Sequence, residues 1–187
     1  HLLFVGLPSP ERAQAVMRTL LGPGFTNGWG LRTLASDQPH YNPMSYHNGS
    51  VWPHDTALCA IGFRRYGGAD AVPRLLSALF EAAVHFDMRL PELFCGFPRH
   101  AGEPPVAYPV ACLPQAWAAA SVFGVLQACL GLHVDGWRDE LHVRSPRLPL
   151  GIGELRLENL PVGDRRLDLV FREAGGRVMV LPGRNEE

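Results

Sequence analysis

The sequence predicts a mainly α-helical chain that ends in a small antiparallel β segment, and three observations carry that prediction. Apolar residues recur at helical spacing in four segments before residue 132. From Trp137 onward the spacing drops to two. Between the helical segments lie two long irregular stretches, residues 24–55 and 88–113, rich in Gly, Pro and aromatic residues. An alternation of helix and long loop is the kind a helical toroid shows, and loops this long are usually functional.

Taken in order, Ser9-Pro10-Glu11 opens the first helix with a capping hydroxyl, a proline suited to the first turn and an acid at the positive end. Val16, Met17, Leu20 and Leu21 make its apolar stripe, and Gly22-Pro23-Gly24 stops it. Pro53 starts a second helix that runs to about Tyr66 and ends at Gly67-Gly68. A third spans about Ala69 to Asp87, with Val72, Leu75, Leu76, Leu79, Phe80, Ala83 and Val84 on one face. The fourth, Pro114 to about Gly131, is apolar nearly all round, which predicts burial on most sides. Strands are predicted around Leu141-His142-Val143, Leu155-Arg156-Leu157, 167–171 and 178–181, with turns at Pro149, Gly163 and Gly175-Gly176. The tail Arg184-Asn185-Glu186-Glu187 is predicted to fray.

Composition bounds the function. The 187 residues are 47% apolar with a formal net charge of -1, ordinary globular material for one domain or one and a half. Near-zero charge argues against nucleic acid as the main partner, since phosphate neutralisation needs clustered Lys and Arg. Lys is absent, and every basic side chain is Arg. No apolar run reaches the length of a membrane span. Cys59, Cys95, Cys112 and Cys129 form no C-x-x-C pair, Cys59 and Cys129 sit in apolar helical surroundings as buried thiols, and a reducing cytoplasm suits the set. The N-terminus has no signal-peptide pattern and begins without Met, in mid-pattern, which reads as a piece of a longer protein.

Residues 41–55, Tyr-Asn-Pro-Met-Ser-Tyr-His-Asn-Gly-Ser-Val-Trp-Pro-His-Asp, concentrate the unusual chemistry. Tyr41, Tyr46 and Trp52 supply ring faces, while His47, Asn48, Ser50, His54 and Asp55 supply donors and acceptors. Rings beside fixed polar groups hold a sugar, which has apolar C–H faces and a hydroxyl rim. In the second irregular stretch Glu92 is a lone carboxylate among apolar neighbours, the setting in which catalytic carboxylates are tuned. The competing reading is an ion pair with Arg89 or Arg99. Gln115 and Trp117 stand at the start of the fourth helix; Gln115 either orients Glu92 or a substrate hydroxyl, or simply caps, and Trp117 either faces the ligand or is core. His47 and His54 lack carboxylate or Cys partners at metal-ligand spacing, so no metal is predicted, and no G-x-G-x-x-G or P-loop marks a nucleotide cofactor. A Cys95 nucleophile lacks neighbours that would stabilise a thiolate. His85, His100, His133 and His142 are scattered and read as structural or exposed.

Three segments, in order, resemble amylo-α-1,6-glucosidases, the glucosidase half of glycogen debranching enzymes. Residues 41–55 are similar to that family's Tyr-His-x-Gly-[Ser/Thr]-Val-Trp-Pro segment, Leu90-Pro91-Glu92-Leu93-Phe94-Cys95-Gly96 to its Pro-Glu-Leu/Ile-Phe-x-Gly segment, and residues 109–117 to its Cys-x-x-Gln-Ala-Trp segment. The resemblance spans roughly residues 1–135. It implies the C-terminal part of an (α/α)6 toroid, with residues 1–135 belonging to the catalytic domain and 136–187 forming a small β-rich cap. It also implies an inverting glycoside hydrolase, which needs a general acid and a general base on opposite sides of the bond. Glu92 matches the general base. The matching acid is an Asp on a segment upstream of this chain, so residues 1–187 alone are expected to be inactive. Tyr46 and Trp52 would stack on or wall the glucose pocket, His47 and Asn48 would bind hydroxyls, Gln115 would support them from behind, and Gly49 and Trp117 join the substrate-binding set. The implied partners are an α-glucan or oligosaccharide substrate, cleaved at α-1,6 branches, and the remaining N-terminal half of the protein, with no cofactor. Two alternatives stand beside this: a non-catalytic carbohydrate-binding helical module, and a same-fold hydrolase of a small α-glucoside such as trehalose or glucosylglycerate.

Overall fold

The computed structural model describes residues 1–183; the tail expected to fray lies outside the described residues. Helices α1 (Leu2–Val5), α2 (Pro10–Leu20), α3 (Pro53–Arg65), α4 (Val72–Val84) and α5 (Ala116–Leu130) precede strands β1 (Leu132–Asp135), β2 (Glu140–Val143), β3 (Glu154–Val162), β4 (Arg165–Ala174) and β5 (Arg177–Pro182). A 3-10 turn, Ala69–Ala71, leads into α4.

The mainly α prediction, and with it the C-terminal part of an (α/α)6 toroid, is overturned. Among the described residues five antiparallel strands form two sheets, and the chain is 32% helix and 21% strand. The strands are longer than their apolar centres suggested. β3 and β4 run on through Glu, Arg and Pro positions, with one bulge at Glu158 and Asn159, because ladder hydrogen bonds, which sequence hydropathy does not register, continue past the apolar residues. β1 was not anticipated. Gly131 ends α5 in a left-handed conformation (φ 65°), and its backbone lies so close to the Arg144 carbonyl that a Cβ would collide with it, so the chain reverses there directly into a strand.

Helix α3 is the hub: α1, α4 and α5 all contact it. Its Ala57, Ala60 and Phe63 join Met17 of α2, Leu75, Leu76 and Leu79 of α4, and Val125 and Cys129 of α5 in the main core. Phe63 is fully buried, which contributes about 1.5–3 kcal/mol relative to exposure. The expected stripe of α4 is buried at Val72, Leu75, Leu76, Leu79 and Ala83, but Phe80 and Val84 point to solvent. Helix α5 differs more. It buries Ala118, Ser121, Val125, Ala128 and Cys129 on one side, while Phe123 is 74% and Trp117 42% exposed on the other. An all-round apolar sequence therefore has only one covered face among the described residues.

The three-stranded sheet β3-β4-β5 docks on the end of α5. Leu155 and Leu157 of β3, Leu169 and Phe171 of β4 and Val178 and Val180 of β5 cover Leu130 and Leu148. All four cysteines are free thiols. Desolvation pushes Cys59 up to about 11 and Cys129 up to about 12, and also raises Cys95. Cys112 alone is exposed. Because the thiolate is the nucleophile, a thiol reagent at pH 8 is expected to label one cysteine rapidly in the native chain and four after denaturation. Rapid reaction of two or more native thiols would refute this packing.

Candidate functional site

The two irregular stretches are joined by a ladder of isolated bridges that pairs Arg32 with Val51, Val51 with Phe94, and Phe94 with Ala107. Val51 and Phe94 exchange both backbone hydrogen bonds, at 2.9 and 3.0 Å. This ladder lays the 41–55 segment alongside the segment that carries Glu92. Its tightest point is the contact of Gly96 with Gly49, where a Cβ on Gly96 would fall 1.7 Å from the Gly49 carbonyl oxygen. Only glycine permits that approach.

Arg32, buried to 6% exposure, locks the junction. Its Nε donates to the Gly96 carbonyl at 2.8 Å, and its Nη1 donates to the carbonyls of Pro23, Gly24 and Thr26. The Tyr41 hydroxyl donates to the same Gly96 carbonyl at 3.0 Å. The charge of Arg32 is spread over four backbone acceptors, which is how a buried guanidinium is accommodated without a carboxylate. Sequence reading missed Arg32. An Arg set between Leu31 and Thr33 in a Gly-rich stretch was its only trace.

Glu92 is half-buried and pairs with neither Arg89 nor Arg99. Arg99 instead meets Glu81 and lies over the Trp29 ring at 4.3 Å. The Glu92 Oε1 accepts from the Tyr46 hydroxyl at 2.7 Å, and Oε2 accepts from the Cys112 N–H at 3.4 Å. The Glu92 N–H donates to the Cys112 carbonyl at 2.9 Å, so three segments distant in sequence meet at one carboxylate. The hydrogen bond to Glu92, reinforced by desolvation, raises the Tyr46 phenol above its ordinary value. Tyr46 is therefore a donor throughout the neutral range, and its contribution fades only as pH climbs above the ordinary phenol range, about 10.

Aromatic rings line the approach. Tyr46 meets Trp52 edge-on at 4.9 Å, His47 at 4.7 Å and Tyr108 at 5.6 Å. Trp52 is 7% exposed, its Nε1 donating to the Tyr46 carbonyl and the Ser50 hydroxyl, so it backs the wall. Trp117 stacks on His54 at 4.9 Å and keeps an open face. His47 and Asn48 are exposed, and Gly49 is buried in the junction. Gln115 caps α5 through its side-chain oxygen, which accepts from the Ala116 N–H at 2.9 Å. Asp55 Oδ1 lies 2.6 Å from the His1 Nε2; desolvation raises its carboxyl, and His54 opposes that shift. Tyr108 was also missed by sequence reading, although it directly precedes the Pro109 segment.

A carboxylate held by a phenol and a backbone N–H, beside exposed aromatic and polar side chains, has the chemistry to position a water and to meet a sugar ring. Comparison with known families finds a likeness to a glycoside hydrolase domain over part of the chain. Residues 2–92 match the family described as the mannosylglycerate hydrolase MGH1-like glycoside hydrolase domain. The matched residues include the whole 41–55 segment and Glu92, and they do not single out amylo-α-1,6-glucosidases. No curated protein matches the chain. Among the described residues no helix is long and apolar enough to cross a membrane.

Proposed function

We propose that the chain supplies the sugar-binding wall and the general base of an inverting glycoside hydrolase, with Glu92 activating water. The observation that carries this reading is the Glu92 carboxylate, bridged by Tyr46 to the aromatic segment. Tyr46, His47, Asn48, Trp117 and the Gly49 backbone are the groups proposed to meet the sugar, with Trp52 and Gln115 supporting them. An Asp upstream of residue 1 is proposed as the general acid. A small α-glycoside of the mannosylglycerate or glucosylglycerate kind is the favoured substrate, because the matched family carries a mannosylglycerate hydrolase name. The α-1,6 branch of a glycogen-like glucan is the second reading, and the three ordered motifs favour it.

Residues 1–135 are proposed as part of the catalytic unit and 136–187 as its β-rich cap. The uncovered face of α5 around Phe123 is proposed to receive the remaining N-terminal half, in the cytoplasm, with neither nucleic acid nor membrane as partner. A panel of mannosylglycerate, glucosylglycerate, trehalose and α-1,6-branched glucan, assayed with the full-length protein for released monosaccharide, tests the substrate. Turnover of the small glycosides without the glucan supports the first reading, and the reverse supports the second. Binding without any hydrolysis would sink both in favour of a carbohydrate-binding module.

A further inference from the structure

Strands β1 and β2 form a two-stranded hairpin whose register pairs His133 with His142 and Asp135 with Glu140. Side chains alternate along a strand, and directly opposed residues share a face. All four metal-ligating residues therefore stand on one face of the ribbon, two imidazoles beside two carboxylates. The other face carries Leu132, Val134, Leu141 and Val143, and its Leu132 and Val143 pack on the core beneath the sheet.

The geometry is tight. One ligand atom from each of Asp135, Glu140 and His142 lies within 4.8 Å of the other two. The His142 Nε2 to Glu140 Oε2 separation is 3.1 Å. Donors about 2.0–2.2 Å from a tetrahedral zinc ion stand about 3.3 Å apart, so these two atoms already span one edge of such a site. His133 stands outside that cluster but on the same face, its ring centroid 6.2 Å from that of His142.

The charges point the same way. Two carboxylates directly opposed across a ladder repel one another. Arg138 relieves this only at long range, with Nη1 at 3.5 Å from Asp135 Oδ2, while Asp135 Oδ1 is occupied by the Trp137 N–H at 3.1 Å. Imidazole mixed with carboxylate selects zinc-like transition cations over magnesium or calcium.

We propose that the β1–β2 hairpin is a binding site for a divalent transition cation, held by Asp135, Glu140 and His142, with His133 on the same face recruited by rotation of its side chain. It is separate from the Glu92 site and does not depend on the function proposed there. The test is calorimetric titration of the 187-residue chain with Zn²⁺ alone, together with melting in its presence. One Zn²⁺ per chain is expected, with a rise in melting temperature. The H133A/H142A variant should weaken binding by at least about tenfold and abolish the rise, while His100→Ala retains both. Glu140→Gln, which leaves the hairpin's apolar face untouched, should also weaken binding and guards against a folding defect in the double variant. Absence of stoichiometric uptake by the wild type, or undiminished uptake by both hairpin variants, overturns the site.

Discussion

Replacing Glu92 by Gln is expected to lower kcat of the full-length protein by about 10²–10⁴-fold, the range over which a positioned acid or base contributes. The amide keeps the shape of the carboxylate and can still accept from Tyr46, whose hydroxyl lies 2.7 Å from Oε1. The fold should therefore survive, and KM should change little, because the aromatic wall is untouched. Undiminished turnover would remove Glu92 from the role of base. Tyr46→Phe separates position from chemistry: it deletes the donor and leaves the carboxylate, so a smaller loss is expected. The raised phenol pKa has a definite sign here. The Tyr46 contribution is fully present below the ordinary phenol value and is lost as pH rises through the folded value, so the difference between wild type and Tyr46→Phe should be flat across neutral pH.

The second large effect belongs to Gly96. A methyl group there would sit 1.7 Å from the Gly49 oxygen and 2.8 Å from its carbonyl carbon. Neither backbone can yield easily. The Gly96 carbonyl is held by Arg32 and Tyr41, and its N–H donates to the Pro43 carbonyl at 2.8 Å. Gly49 is itself confined, with φ 145° and the Tyr41 ring and Asn42 carbonyl where its Cβ would be. Gly96→Ala is expected to cost about 3 kcal/mol, the upper end of overpacking penalties, and so lower the melting temperature by about 6–12 °C. Gly153, with nothing within 4 Å of a Cβ, is the control, and Gly153→Ala should stay within about 0.5 kcal/mol. Equal melting of the two variants would show that the junction is looser than described. Gly96→Ala should also loosen sugar binding, because the same junction sets the spacing between Tyr46 and Glu92.

These two residues differ in how far the sequence exposed them. Glu92 stands out as a candidate because a lone carboxylate among apolar residues is conspicuous, and because its neighbours resemble a known motif. The need for glycine at 96 was not legible, since it arises from a chain segment 47 positions away (96 − 49) that only the fold brings near. Arg32 and Tyr108 were missed for the same reason: their roles come from what they touch.

By itself the sequence determined the local features of this protein. Ser9 and Pro10 at the start of α2, Pro53 at the start of α3 and Gly131 at the end of α5 act within one turn of chain, so their effects can be read without knowing the fold. It also carried the likeness to a glycoside hydrolase domain over residues 2–92, which rests on contiguous segments. Tertiary structure alone decided the balance of helix and sheet, because strands persist through polar residues wherever a partner strand satisfies the backbone. It decided that α5 buries one face, that Trp52 backs the wall while Trp117 stays open, and that Tyr46 is the group on Glu92. It also turned His133 and His142, apparently unrelated histidines, into a facing pair, since the register of a hairpin is fixed by pairing across the strands and not by position along the chain.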